Sequence, residues 1–486
     1  MPLETDNQEL EESPNSPKRR FGDWVNRLPH IPVFFLGLGM YRAWIEITYV
    51  GSFVNFPTAD TAGQDVFDIS MVLVMLAIAL FSKRLGTLFN RTLAYWLSGT
   101  TLSLSTIGIF FCCWHADLAP LLAWPCAILG GFGTGILIAM WSETYSCLNP
   151  LRVMLYYSTS LITAALIIYL YRGFSLPWLG IMTFLLPLVS LLCVLLSYRA
   201  LPESDLPTVP HYSFSFPWKP VLLMAVYGFA FGLREVSLYA SGSGPHSAYG
   251  TIVVAACVCI CVLIQGERFD FSLIYRIALP LMLGAFLLLP SFGFLDVQLS
   301  GFCLSASYAA FSILIMLILA NISYRFGVSA LWLFGFERGV RLLSVFLGRK
   351  VEELVDFTNV FGTPNDLFVS VLIALMVVAM SLILNSEREL SSRWGVTFKK
   401  GDDAVADAAI RRRQDLALRC SDLARQNQLS QREEEVLLLL AQKKTIAIVE
   451  RELFIANGTA KAHVRHVYRK LNIHAREDLF KLLDIV

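Results

Sequence analysis

Hydrophobic residues fill most of the chain in blocks of about twenty, the length that a helix needs to cross the hydrocarbon core of a bilayer. Polar residues and turn formers separate the blocks. The pattern predicts twelve spans, near residues 31–50, 66–82, 92–113, 119–141, 153–171, 177–197, 219–240, 246–265, 275–290, 298–322, 327–348 and 367–385. Beyond residue 385 the pattern changes to short amphipathic helices with polar connections.

These patterns divide the chain into four predicted segments. Residues 1–28 form a polar tail, 29–385 the transmembrane region, 386–424 a linker with a connector helix, and 425–486 a small four-helix domain. The predicted fold is therefore all-α. No cleavable signal peptide is expected, because the first apolar run is long enough to stay in the membrane.

Composition and local charge agree with this division. The mean hydropathy of +0.59 and a charged fraction of 16% are typical of a membrane protein. With the amino terminus inside, thirteen basic residues fall in cytoplasmic segments before the tail, whereas the opposite side has only Arg172, Arg349 and Lys350. Because basic loops stay in the cytoplasm, we expect both termini there.

The longest internal loop, residues 199–219, is rich in proline and follows the sixth span. It splits the region into six plus six helices, an arrangement that resembles the major facilitator superfamily. Between spans two and three the chain reads Lys83-Arg84-Leu85-Gly86. The basic residue and the glycine match that family's loop signature, but Lys83 replaces its acidic residue, which argues against transport activity.

Charged residues inside the predicted spans form the first group of candidate functional residues. Such charges are costly in a membrane and usually face a partner or a cavity. Two interpretations stay open: ion pairs that hold helices together, or a polar pocket for a small molecule between the two halves. The residues are Arg42 and Glu46 in the first span, Arg234 and Glu235 in the seventh, and Glu337, Arg338 and Arg341 in the eleventh.

The last segment carries the second group. Ser430 and Glu433 are spaced as a capping box that begins a helix over 431–441, and Thr445 is placed to cap a helix over 446–453. Further helices are predicted over 459–471 and 476–483. The stripe of apolar residues over 403–428 indicates either a solvated connector helix or a helix that pairs two copies of the chain.

Residues 429–483 resemble the LuxR-type helix-turn-helix domain of bacterial transcription regulators. The matching residues are Leu429-Ser430, Arg432-Glu433, Glu435-Val436-Leu437, Leu440-Ala441, Thr445, Leu453, Ile455, Thr459, Lys461, His463-Val464, Tyr468, Lys470-Leu471 and Arg476. The third helix has one exposed, mostly basic face and one apolar face, as such a domain needs. Lys461, Ala462, Arg465 and Arg469 share one face, and Ala460, Val464, Val467 and Leu471 share the other.

The resemblance implies roles for these positions on double-stranded DNA. Those matching Lys461, Ala462 and Arg465 face base edges in the major groove, and the one matching Thr445 contacts phosphate. We expect Lys444, Arg469 and Lys470 to contact phosphates, and Thr459, one of the matching residues, to belong to the DNA-binding surface as well. Domains of this type generally bind two half-sites, which implies a homodimer. The chain departs from the family at Lys443, which replaces a glycine, and at Glu450 and Ala456.

The leading hypothesis is a one-component transcription regulator embedded in the bacterial inner membrane and controlled by a small-molecule inducer or a membrane signal. A facilitator-type transporter with a fused DNA-binding tail is the alternative, and a passive membrane anchor is a third interpretation. No enzyme motif is evident, and neither a cofactor nor a metal is expected. The inducing ligand, the target promoter and the sign of regulation do not follow from the sequence.

Overall fold

The computed structural model describes residues 32–50, 61–201, 206–207, 217–235, 244–265, 280–283, 294–326, 328–354, 377–378, 408–453 and 455–483. Every regular element in these ranges is helical, which confirms the all-α prediction. Before the linker, the described ranges contain ten longer helices: α1 (Gly37–Ile45), α2 (Thr61–Leu80), α3 (Thr92–Trp114), α4 (Ala119–Ser146), α5 (Pro150–Tyr171), α6 (Leu176–Ala200), α7 (Trp218–Gly232), α8 (Tyr249–Gln265), α9 (Phe294–Phe326) and α10 (Ala330–Leu354).

Six helices in the described ranges are long and apolar enough to cross a membrane. They are α2 to α6 and α9, while α7 and α8 are shorter apolar helices. α10 contains seven charged residues, so its composition is more polar. The predicted spans near 275–290 and 367–385 lie outside the described residues apart from 280–283 and 377–378, so the count of twelve stays a prediction.

The first predicted span is not a uniform α-helix. A 3₁₀ turn, Val33–Leu36, leads into α1, and a π-helical turn, Glu46–Val50, follows it. π-helical turns shift the side-chain register and are frequent at functional sites. The change begins at Glu46, whose buried carboxylate accepts hydrogen bonds from the backbone of the segment before α8.

The two halves of the bundle meet through α2 with α10 and through α5 with α8. Two glycines one helical turn apart allow α10 to approach α2 closely. A Cβ atom on Gly335 would come within 2.9 Å of the Met75 carbonyl oxygen, and one on Gly339 within 2.6 Å of the Leu76 side chain. Small residues at this spacing permit close packing in membranes, where no hydrophobic force drives helices together. The glycines bracket Glu337 and Arg338, and thereby fix these charges at the junction of the halves.

The carboxyl-terminal domain consists of α11 (Ala408–Gln426), α12 (Gln431–Ala441), α13 (Ile446–Leu453), α14 (Asn457–Lys470) and α15 (Arg476–Leu482). The predicted capping box is confirmed, with Ser430 and Glu433 bonding to each other's backbone N–H groups. The apolar stripe of α11 packs against α12 and α9 within the same chain, with Ala417, Cys420 and Ala424 buried. The linker between residues 386 and 407 lies outside the described residues.

The domain rests on one end of the membrane bundle. The Arg152 guanidinium, at the start of α5, lies 3.5 Å from the Glu452 carboxylate near the end of α13. α11 also contacts α9. This end of the bundle also carries the α2–α3 and α4–α5 connections. Asp65 lies near the start of α2, so it is at the other end of the bundle, away from the carboxyl-terminal domain.

Candidate DNA-binding surface and membrane cavity

Helix α14, predicted to be the recognition helix, presents a basic face to solvent. Lys461, Arg465 and Arg469 are exposed, and Ala462 between them is half-buried. The other face is in the core, where Ala460, Val464, Val467 and Leu471 are all buried. The structure therefore places the predicted base-reading residues together on one accessible surface. Together with the turn after the helix, this face borders a groove of about 470 Å³.

The turn that leads into α14 differs in detail from the predicted one. The helix begins at Asn457 rather than near residue 459, and Ala456 precedes it with extended backbone and no side-chain cap. The Asn457 side chain instead donates a hydrogen bond of 2.9 Å to the Glu450 carboxylate on α13. This hydrogen bond joins α13 to α14. It gives a structural role to Glu450, one of the positions at which the chain departs from the family. Thr459 is half-buried in the first turn of α14.

Three residues immediately before α13 set its position. The Thr445 hydroxyl lies 3.4 Å from the Ile448 backbone nitrogen and caps α13 as expected. Lys443 has a φ of 62°, in the left-handed region that favours glycine, which explains why glycine is usual in the family at this place. The Lys444 carbonyl oxygen accepts a hydrogen bond of 2.8 Å from Arg476 on α15. Lys444 itself is half-buried and Thr445 is exposed.

Lys470 lies in an internal contact that the sequence did not reveal. Its ammonium group is 2.6 Å from the Glu433 carboxylate and 3.1 Å from the Gln428 carbonyl oxygen. This geometry differs from the predicted phosphate contact, because the charge of Lys470 is already matched within the domain. Burial raises the pKa of Glu433, but the hydrogen bonds from Lys470 and Ser430 outweigh it, so the pKa is lowered from its ordinary value of 4.5.

Replacing Glu433 by glutamine is expected to remove an acid-sensitive part of the domain's stability. A carboxyl whose pKa is lowered by folding stabilises the folded state above its unfolded pKa and loses that effect as the pH falls through the folded pKa. The melting temperatures of wild type and Glu433→Gln should therefore differ at neutral pH and converge below pH 4.5. Pulse proteolysis of the full-length protein at a series of temperatures measures this difference, with cleavage within residues 431–483 as the readout of unfolding. A gap that persists unchanged in acid would contradict the assignment.

A cavity of about 140 Å³ lies between the two halves of the membrane bundle. Of the predicted intramembrane residues, Arg42, Glu235, Arg338 and Arg341 line it. Glu46 and Glu337 are fully buried and contact groups at or beside its wall. The structure thus brings together six of the seven candidates. Arg234 follows the end of α7 and does not line the cavity.

Buried polar contacts fix the charged groups around this cavity. The Arg42 guanidinium donates to the Tyr157 hydroxyl and lies 4.9 Å from the centre of that ring. Glu46 accepts hydrogen bonds from the backbone N–H groups of His246 at 2.7 Å and Ser247 at 3.2 Å. The Glu337 carboxylate lies 3.2 Å from the Arg341 Nε atom and 3.6 Å from the Arg338 Nε atom. The single carboxylate of Glu337 is therefore the shared ion-pair partner of two arginines.

A second ion cluster corrects the predicted position of Arg349 and Lys350. The sequence placed both in an outward loop, but α10 continues to Leu354, and Arg349 lies on the same helix face as Arg341 and Val345. Its guanidinium is 99% buried and contacts three carboxylates: Asp68 at 2.5 Å, Glu235 at 2.8 Å and Asp65 at 3.0 Å. Because three carboxylates surround its guanidinium, Arg349 can be buried while α10 continues to Leu354. Glu235, predicted beside Arg234 in a span, is a partner of Arg349.

Comparisons with known proteins gave matches of two kinds, one to a family model and the others to solved structures. The family model described as bacterial regulatory proteins, luxR family, matches residues 427–483. A comparison with curated protein sequences gave no match. The structure of the human organic anion transporter MFSD10 (TETRAN) is similar with a TM-score of 0.52 and 14% identity, over 76% of this chain and 100% of that one.

Two further solved structures are similar at lower scores. The E. coli fucose:proton symporter FucP has a TM-score of 0.48 and 12% identity, over 73% of this chain and 97% of that one. The proton:xylose symporter XylE has a TM-score of 0.47 and 14% identity, over 75% and 94%. At such identities a likeness shows the fold alone, and the MFSD10 match carries that conclusion: the membrane region has a major-facilitator-type fold.

Proposed function

We propose, from the premise that residues 427–483 are a LuxR-type DNA-binding domain joined to a membrane bundle of the major facilitator fold, that this protein is a membrane-embedded, one-component transcription regulator. The observation that carries the proposal is the basic face of α14. Lys461, Arg465 and Arg469 are exposed side by side on the helix that the family uses for recognition. The bundle holds this domain at a membrane surface, and the proposed role is not enzymatic.

Control by a small molecule is the second part of the proposal. α5 supports it, because this helix contacts both functional regions. Tyr157 accepts a hydrogen bond from Arg42 at the cavity, and Arg152 pairs with Glu452 of the DNA-binding domain. The two residues are five positions apart, roughly 7.5 Å along the helix. A ligand that moves Tyr157 can therefore change the docking of the domain, provided that it binds the two docking states with different affinity.

The proposal includes the cell compartment and the assembly state. Both termini face the cytoplasm of a bacterial inner membrane, where the domain reaches chromosomal DNA. Two copies bind two half-sites as a homodimer on double-stranded DNA. Arg469 and Lys444 contact phosphates, whereas Lys470 remains with Glu433.

Selection of genomic DNA fragments by the full-length protein in lipid nanodiscs tests the DNA-binding part. We expect enrichment of one sequence class, with an affinity that falls steeply as salt rises, because phosphate contacts release counterions. Enrichment of no sequence class, at any salt concentration, would reject the regulator. Reporter fusions to the carboxyl terminus test the orientation of the protein in cells, and an external carboxyl terminus would be incompatible with chromosomal DNA binding.

The fold and the charged cavity favour one alternative, a transporter that carries a regulatory tail. The two functions differ in their readouts. A transporter moves substrate across the membrane of proteoliposomes, and its flux saturates with substrate. A sensor binds its ligand without flux and changes promoter output. Saturable flux of a compound that leaves DNA binding unchanged would favour the transporter.

Charge reversal at Arg152 is expected to increase DNA binding without ligand. Arg152→Glu breaks the pair with Glu452 and loosens the domain from the bundle. Partly exposed ion pairs contribute about 0.2–1 kcal/mol, so we expect a change of roughly 1.4- to 5-fold in DNA affinity. Electrophoretic mobility shift with the nanodisc-embedded protein measures it.

A second substitution and a matched control separate docking from general charge effects. The double variant Arg152→Glu/Glu452→Arg should return the affinity toward that of the wild type, because the pair is restored with opposite polarity. Arg199→Glu changes an exposed arginine at the same end of the bundle and should have no effect. Equal gains from Arg152→Glu and Arg199→Glu would show that the effect is not due to the contact with Glu452.

A further inference from the structure

The cavity between the two halves has a size and a chemistry that narrow the class of its ligand. Its volume of about 140 Å³ is close to that of an engineered protein cavity, ~150 Å³, that holds one benzene molecule. A ligand here is therefore a small organic molecule. This inference rests on the proposed function, since it names the kind of inducer that the sensor takes.

In the layer formed by Arg42, Arg338, Arg341, Glu46 and Glu337, cationic groups outnumber anionic ones. Asp68 and Glu235, two further carboxylates that line the cavity, pair with Arg349. Arg42, Arg338 and Arg341 have only 7%, 6% and 5% of their surface exposed. Two carboxylates of this layer are fully buried: Glu46, one turn after Arg42 in the chain, and Glu337, which lies close to Arg338 and Arg341. Glu46 is already bonded to two backbone N–H groups. A buried positive charge is unfavourable without a counter-ion, so the layer is expected to attract an anion.

Hydrogen-bond donors in this layer are also incompletely used. Among the described residues, the Arg42 Nε atom has no hydrogen-bond partner. The Nε atoms of Arg338 and Arg341 lie near the Glu337 carboxylate, but neither these atoms nor the two Glu337 oxygens have hydrogen-bond geometry. Guanidinium groups bind carboxylates through two parallel N–H donors, a geometry that a planar carboxylate matches well. We infer that the cavity binds a small monocarboxylate through Arg42, Arg338 and Arg341.

The remaining walls define the rest of the ligand. Phe231 stacks on Tyr308 with ring centres 4.3 Å apart, and both line the cavity. These rings offer a surface for an aromatic or apolar body. Asp68 and Glu235 line the cavity as well, and both share the single positive charge of Arg349. A second carboxylate on the ligand would lie near these acidic groups and be repelled, which favours a monocarboxylate over a dicarboxylate.

Thermal unfolding of the full-length protein in detergent micelles tests the inference with defined probes. Benzoate, phenylacetate and 3-phenylpropionate are the carboxylates, with benzamide as a neutral isostere of benzoate and benzylamine as a cation. We expect at least one carboxylate to raise the melting temperature in a saturable manner, and neither benzamide nor benzylamine to do so. Arg338→Gln and Arg42→Gln should each weaken the apparent affinity for that carboxylate by about tenfold or more. Arg172→Gln, which removes an exposed arginine, should leave it unchanged.

Glu337→Gln provides a test of opposite sign. This substitution keeps the shape of the side chain but removes the internal anion that occupies Arg338 and Arg341. The variant should melt at a lower temperature than the wild type without ligand. The carboxylate should then raise its melting temperature by more than it raises that of the wild type, because it replaces the missing charge.

Specific results would overturn the inference. They are equal stabilisation by benzamide and benzoate, no stabilisation by any of the three carboxylates, or unchanged carboxylate affinity in both arginine variants. If the arginine variants do not fold, the comparison of wild type with Glu337→Gln still decides, and an equal or smaller response in Glu337→Gln would reject the inference. DNA binding is measured separately, so a failed carboxylate test beside sequence-selective DNA binding rejects the pocket and keeps the regulator. The reverse result rejects the regulator and keeps the pocket.

Discussion

Replacing Arg465 by alanine is expected to reduce the sequence preference of DNA binding by about 5- to 140-fold. The side chain is exposed on the face of α14 opposite the buried Val464 and Val467. A guanidinium there can donate two hydrogen bonds to the O6 and N7 atoms of one guanine in the major groove. Such a bidentate contact discriminates against the wrong base by ~1–3 kcal/mol, and every 1.4 kcal/mol corresponds to a factor of about ten.

Lys461 and Arg469 complete this experiment because they lie on the same face with different expected roles. Lys461→Ala should relax the preference at a neighbouring base. Arg469→Ala should weaken binding to all sequences alike, because phosphate contacts position the protein without reading bases. Competition between the selected site and single-base variants of it, at one fixed salt concentration, separates the two effects.

The control is another exposed arginine of the same domain. Arg425→Ala removes a charge at the end of α11, where Arg425 pairs with Asp422 at 2.7 Å. It should change neither the affinity nor the preference by more than about twofold, the size of a weak surface contact. Uniform weakening by Lys461→Ala, Arg465→Ala and Arg469→Ala alike would show that α14 contacts only the DNA backbone.

The DNA-binding domain could be predicted closely because its signals are local. The capping box is encoded within four residues, from Ser430 to Glu433, and the two faces of α14 follow from spacing along one helix. Helical periodicity also assigned the buried residues Ala460, Val464, Val467 and Leu471. The contact of Lys470 with Glu433 did not follow from the sequence, since Glu433 lies on a different helix.

The interior of the membrane bundle was predicted less completely, because its contacts join residues far apart in the chain. Glu143 shows the difficulty. It is buried near the end of α4 and accepts hydrogen bonds from the backbone of Leu88 at 3.0 Å and Phe89 at 3.2 Å. An acidic residue within an apolar run was the available signal, but periodicity does not say which connection it will face. The contact between Arg152 and Glu452 is of the same kind, 300 residues apart in sequence.

Arg349 is the residue whose loss should destabilise the bundle most. Its guanidinium pairs with Asp65 and Asp68 of α2 and with Glu235 beyond α7, so it joins elements from both halves of the bundle at the end opposite the DNA-binding domain. Arg349→Gln would leave three carboxylates close together without their main counter-ion. Removing one partner of a buried ion pair typically costs about 3–5 kcal/mol, because the remaining charge is uncompensated. We expect a loss of that order in the free energy of unfolding, measured by chemical denaturation in micelles.

Two matched variants distinguish the charge effect from simple loss of packing. Lys350→Gln alters the adjacent, partly exposed ammonium group, which pairs with Asp65 and Glu353, and should cost at most about 1 kcal/mol. Arg349→Gln/Asp68→Asn removes one uncompensated carboxylate and should recover part of the lost stability. If the double variant is less stable than Arg349→Gln alone, repulsion among the carboxylates is not the cause. The shape of the arginine, rather than its charge, would then hold the two halves together at this end.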